Sequence, residues 1–167
     1  PTVNANGNYT LTVTKLVNGC TSSDAVTVSV DTTKPVANAG ANVTLTCSNP
    51  TLQIGTVAIT GNTYVWSPSV GLSNAAIAQP IANTTDNYTL TVTKTSNGCT
   101  STDSVTVAID TTRPIANAGV DKIITCTNPT QVIGTAATAG NSYAWTPSIG
   151  LSNATIAQPT ANTAANY

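Results

Sequence analysis

The residues in this chain best suited to chemistry are its four cysteines, Cys20, Cys47, Cys99 and Cys126. Cys20 and Cys99 stand 79 positions apart, and so do Cys47 and Cys126. Cys99 follows Asn97-Gly98 within "NYTLTVTKTSNGCTSTDSVTVAI" (87–109), two alternating segments joined by a polar turn. Asn-Gly between alternating runs is a strong hairpin signal, so the thiol sits at a tip with no core to hide in. Such a cysteine is expected to be paired. Zinc is a poor partner, because two cysteines per repeat without histidine cannot complete four ligands. Catalysis has little to work with. There is no His, which removes histidine-based triads. The only acids are Asp24, Asp31, Asp86, Asp103, Asp110 and Asp121, and they do not cluster. No enzyme and no cofactor are expected. A calcium ion held by Asp31 or Asp110 is a thin alternative to a turn-opening aspartate.

The 79-residue offset governs the whole chain. "NYTLTVTKLVNGCTSSDAVTVSV" (8–30) precedes the stretch above, and Tyr64 and Trp66 recur as Tyr143 and Trp145. Roughly two-thirds of positions match across one period, which marks a tandem array of small domains rather than a solenoid. The seams are "DTTKPVANAG" (31–40) and "DTTRPIANAG" (110–119), where Lys34-Pro35 and Arg113-Pro114 predict short, stiff linkers. Residues 32–110 then form a complete domain, 1–31 the C-terminal part of one and 111–167 the N-terminal part of another. Each end piece alone would expose strand edges and half a core. They are expected to belong to a longer array or, in a sharper form, to complete one another between copies by strand complementation.

Charged residues make up 7% of the chain and the net charge is −1, so there is no basic stripe for nucleic acid. No apolar run is long enough to span a bilayer. Threonine leads the composition, giving a surface that is polar without being ionic and lacks the charges that keep sheet edges apart. Such a surface suits an extracellular protein that associates with itself.

Period-two alternation runs throughout, with no helical stripe. Tyr88, Leu90 and Val92 share one face of a strand, and Val105, Val107 and Ile109 the inner face of the next. Val43 and Leu45, Leu52 and Ile54, and Tyr64 and Trp66 mark three more strands, with Leu72 and Ile77 plugging the crossover. An apolar and a threonine-rich face on each strand predicts an all-β, two-sheet antiparallel sandwich.

The segments "PVANAGANVTLTCSNPTLQIG", "YVWSPSVGLSNA" and "NYTLTVTKTSNGCTSTDSVTV" cover nearly the whole repeat and resemble Ig-like and PKD-like domains. Domains of this kind are strung along very large surface proteins of gliding Gram-negative bacteria. Those proteins are commonly exported by the type IX route and end in a sorting domain that is not among these residues. The resemblance implies spacer or adhesive modules, with Trp66 (and Trp145) as the core aromatic of the third strand. Tyr88 would form a tyrosine corner, Tyr64 and Tyr143 would join the core, and Leu90 replaces the cysteine of antibody domains. "DTT" at 31–33 and 110–112 and "DSV" at 103–105 resemble the Asp-Ser/Thr motif that such bacteria O-glycosylate, which makes Thr32, Thr111 and Ser104 candidate sites.

An Ig-like topology would place Cys47 at the C-terminal end of the domain and Cys99 at the N-terminal end. A six-residue strand, about 20 Å long, would then separate them, against roughly 7 Å between Cα atoms in a disulfide. The favoured pairing joins each first-strand cysteine to the hairpin-tip cysteine of the following domain. For identical copies stacked end to end, Cys47 would meet the next copy's Cys20, and Cys126 its Cys99. An intradomain bridge and free thiols are the alternatives. The expected function is structural: an extracellular filament, stalk or matrix fibre of tandem sandwiches that associate end to end or laterally, with inter-domain disulfides at the junctions. A cell-surface adhesin spacer is the second reading. A carbohydrate-binding module contacting cell-surface or matrix polysaccharide is the third, weakened because every aromatic but Tyr9 and Tyr88 is expected to be committed to the core.

Overall fold

The computed structural model describes residues 1–167 and contains strands but no helix. Two compact units are present, Pro1–Thr111 and Thr112–Tyr167. In the first, the hairpin β1 (Gly7–Thr14) and β2 (Thr21–Val28) is followed by β3 (Val43–Thr46), β4 (Leu52–Gln53), β5 (Asn62–Ser67), β6 (Ile81–Ala82), β7 (Asp86–Lys94) and β8 (Thr100–Asp110). The second unit holds only β9 (Gln131–Val132) and β10 (Thr160–Ala161) as a paired ladder.

Strands β3 to β8 form a two-sheet β-sandwich. One sheet has the order β3-β8-β7-β5 and the other pairs β4 with β6. β7–β8 and β5–β7 are antiparallel, whereas β3 runs parallel to β8, with Val43 opposite Val107 and Thr46 opposite Asp110. Leu45, Trp66, Tyr88, Leu90, Val92, Val105 and Val107 project from the larger sheet onto Ile54, Ala82 and Ala39, and all ten are buried. The alternating pattern produces this directly: consecutive residues face opposite sides, so one apolar row per strand lines the core.

Two inward assignments fail. Ile77 is exposed, because its carbonyl is turned in to accept the Trp66 indole N–H at 2.9 Å, and Ala78 and Pro80 are buried in its place. Ile109 is exposed: β7 pairs with β8 only as far as Val107, so Ile109 has β3 on one side and no β7 residue on the other. Leu72 does pack against the core, and a single β-bridge joins it to Ala82.

Two glycines are fixed by close approach. Gly55 (φ +82°) lies against the Ala78 carbonyl and the Trp66 ring, and Gly71 (φ +80°) lies against Thr84 and the Tyr88 hydroxyl. A Cβ at either position would collide with these groups, in a left-handed conformation that already disfavours L side chains.

Candidate functional site at the repeat junction

The chemistry-bearing side chains gather at the two ends of the sandwich. At the N-terminal end, the β7–β8 turn is closed by Lys94 N–H to the Cys99 carbonyl (2.9 Å) and Gly98 N–H to the Lys94 carbonyl (2.8 Å). Gly98 takes φ +72° and the Asn97 side chain accepts the Cys99 N–H at 2.9 Å, so Asn-Gly makes the turn as its chemistry requires. Thr95 holds the tip to β5 through its N–H and hydroxyl, both donated to the Gly61 carbonyl.

The preceding linker is clasped to this tip. Lys94 Nζ lies 3.1 Å from the Asp31 carboxylate, and Asn97 Nδ2 donates to the Thr33 carbonyl at 3.0 Å. The Thr33 N–H and hydroxyl, followed by the Lys94 ammonium, hold the Asp31 carboxyl well below the usual carboxylate range. Asp31 remains solvent-exposed, so the clasp orients the linker more than it stabilises the fold. Further along, Asp103 accepts the Ala39 N–H at 2.8 Å and ties the linker's end into the sandwich.

Cys99 is half-buried beside this clasp. Cys47 is exposed at the other end, one residue beyond Thr46, which is in register with Asp110. Ten residue steps of β8, about 33 Å at 3.3 Å each, separate Thr100 from Asp110. A Cys47–Cys99 bridge within one repeat is therefore out of reach. All four cysteines are free thiols in the single chain. No three His, Cys, Asp or Glu side chains gather to hold a metal, and a cation at Asp31 would have to displace Lys94.

Of the aromatic positions, Trp66 and Tyr88 are buried, while Tyr64, Tyr143 and Trp145 are partly buried. The Tyr88 hydroxyl donates to the Val70 carbonyl (3.0 Å) and shares a hydrogen bond with Thr84 Oγ1 (2.8 Å), a tyrosine corner. Tyr9, its counterpart on β1, is exposed. Thr32, Thr111 and Ser104 are exposed as well, and Ser104 shares a hydrogen bond with Thr89. Sequence reasoning missed the Asp31–Lys94 and Thr33–Asn97 contacts. The only hint was that "DTT" and the lysine before the tip recur in both repeats.

These features define an all-β, Ig-like sandwich whose notable polar apparatus lies at its ends. No family model and no curated protein matches the chain. Among solved structures, it is similar to the human Desmocollin-1 ectodomain (12% identity, TM-score 0.35), with 89% of this chain and 34% of that one covered. It is also similar to SGBP-B of the Bacteroides ovatus mixed-linkage glucan utilization locus, solved with a mixed-linkage heptasaccharide (17% identity, TM-score 0.25, coverage 78% and 37%). The chain thus spans about a third of either structure.

Proposed function

We propose that this chain is a structural part of an extracellular filament or stalk, built from tandem sandwiches whose junctions are covalently stapled. One observation carries the reading. Asp31 and Asp110 are equivalent positions of successive linkers. At Asp31 the linker lies on the hairpin tip that follows it, beside Cys99. At Asp110 the linker leaves next to Cys47. A clasp at Asp110 like the one at Asp31 would bring a first-strand cysteine and the next repeat's tip cysteine to the same short segment. A disulfide there would bypass the linker, so that tension runs through sulfur and the string stiffens into a rod. Each cysteine's partner then lies in another repeat or another copy, which leaves a single chain with four thiols.

The near-neutral, threonine-rich surface suits lateral or end-to-end association outside the cell, and O-glycosylation at Thr32, Thr111 and Ser104 would keep that surface hydrated. An intact mass equal to the bare polypeptide would remove the glycosylation component. Electron microscopy of the native material, with and without reductant, tests the function. Uniform filaments that resist heat and detergent until reduced are expected; monomeric particles unaffected by reductant would overturn it.

A further inference from the structure

Asn97 and Gly98, at the tip of the β7–β8 turn, are a pair whose side chain and backbone can react with each other. A backbone nitrogen attacks the side-chain carbonyl carbon of the preceding asparagine most readily when glycine supplies it, because no Cβ shields the approach. Three hydrogen bonds stand against that step. The Gly98 N–H, whose nitrogen would be the nucleophile, donates to the Lys94 carbonyl at 2.8 Å. Asn97 Oδ1 accepts the Cys99 N–H at 2.9 Å, which limits rotation of the amide. Asn97 Nδ2, the atom that would leave as ammonia, donates to the Thr33 carbonyl at 3.0 Å. The first two bonds belong to the turn itself, whereas the third comes from the linker, 64 positions away in sequence. The tip is otherwise open, with Ser96 and Gly98 exposed and Asn97 half-buried.

We propose that Asn97 is a modification site guarded by the linker: when Asp31–Thr33 lifts from the tip, Asn97 cyclises onto Gly98, and the product cannot fasten the linker again. In the first step Gly98 N bonds to Asn97 Cγ and gives up its proton to water, and Nδ2 leaves as ammonia, which forms a succinimide. Water then adds to either ring carbonyl and opens the ring to aspartate or isoaspartate at position 97. No oxidant or cofactor takes part. In the aspartate, an oxygen without a hydrogen replaces the nitrogen that donated to Thr33, so two acceptors face each other. A second carboxylate also comes to lie beside Asp31, which Thr33, Lys94 and the Asn97 amide together hold ionised. Lys94 Nζ, 3.1 Å from Asp31, can neutralise one of the two carboxylates and not both. The isoaspartate goes further, because an added main-chain methylene lengthens a turn closed by the Lys94–Cys99 and Gly98–Lys94 bonds. The change therefore runs in one direction, from a clasped linker to a loose one. Asn-Gly-Cys recurs at 18–20, so the same chemistry is written into both tips.

This inference rests on the clasp and uses no sulfur, so it is tested with the thiols reduced and stands apart from the staple. The 167-residue chain is incubated at neutral pH and physiological temperature, and conversion at Asn97 is followed by peptide mapping in buffer and in urea. Conversion should be slower in buffer, since urea removes both the turn and the clasp. Asp31→Ala releases Lys94 and the Thr33 N–H from the linker's carboxylate and leaves every turn residue in place. It should speed conversion in buffer about two- to tenfold, the range set by the net worth of one hydrogen bond, and leave the rate in urea unchanged. Asn97→Asp stands in for the product. Amide NMR should then show residues 31–35 loosened while Leu90 and Val105 keep their shifts. Two results would overturn the proposal: an Asn97 that converts at the same rate, or not at all, in wild type and D31A in buffer, or an N97D chain whose linker stays as ordered as in wild type.

Discussion

The β7–β8 hairpin and the β1–β2 hairpin are nearly the same sequence, but their fates differ. On β7, Leu90 and Val92 are buried; on β1, Leu11 and Val13 stand in solvent. The complementary contrast appears at the other end of the repeat. Residues 43–46 and 62–67 are strands, whereas their equivalents 122–125 and 141–146 are not, and no counterpart of the β7–β8 hairpin lies among residues 112–167. Strand formation here follows the availability of a partner more than local propensity. What survives in the incomplete unit is short-range. Trp145 still donates to the Ile156 carbonyl at 2.9 Å, as Trp66 does to Ile77. Tyr143 still accepts the Thr138 N–H, Tyr167 still makes its corner, and Gly134 still lies against Ala157 as Gly55 lies against Ala78. Crossover geometry is thus encoded within about thirty residues, comparable to other supersecondary motifs, whereas the sheet requires contacts from farther along the chain.

Substitution at paired sites tests the difference between the two hairpins, and the largest effect should come from the core. Leu90→Ala is expected to cost residues 32–110 about 2–5 kcal/mol in urea denaturation. Leu11→Ala should stay within about 0.5 kcal/mol in the monomeric chain. Equal effects would mean that the hairpins are not in different environments. Next in size, Gly71→Ala should cost at least about 1–2 kcal/mol, the penalty of the left-handed conformation alone, with the Thr84 and Tyr88 contacts adding to it. Tyr88→Phe removes the corner hydroxyl and should cost about 0.5–1.5 kcal/mol.

The smallest effect belongs to the clasp. The folded-state pKa of Asp31 is depressed, so its contribution is complete above the ordinary carboxylate range and fades as pH falls below it. Between pH 5 and 8 the linker–tip contact should therefore be insensitive to pH when followed by NMR chemical shifts of Thr33 and Lys94. Weakening should begin only in strong acid, and Asp31→Asn should abolish that acid response. A midpoint near neutrality would rule out this carboxylate as its cause.

Much of the fold was legible because alternation reports burial directly: Leu45, Trp66, Leu90 and Val105 could be placed from period two alone. Ile77 and Ile109 were misread for physical reasons that a pattern cannot carry. At Ile77 the backbone carbonyl is the inward group, and at Ile109 the neighbouring strand β7 has already ended. The opposite placement of Cys47 and Cys99 followed once the first and last strands were taken as parallel. The clasp was less legible, because it joins exposed polar residues more than sixty positions apart and no periodicity signals such a contact.

In the proposed fibre, sulfur joins neighbouring repeats and not the two ends of one repeat. The four cysteine-containing peptides differ in sequence, so non-reduced peptide mapping of oxidised assemblies of the 167-residue chain can assign each bond. For identical copies stacked end to end, the expected pairs are Cys47 with Cys20 and Cys126 with Cys99. A Cys47–Cys99 peptide, or four alkylatable thiols in intact assemblies, would contradict it.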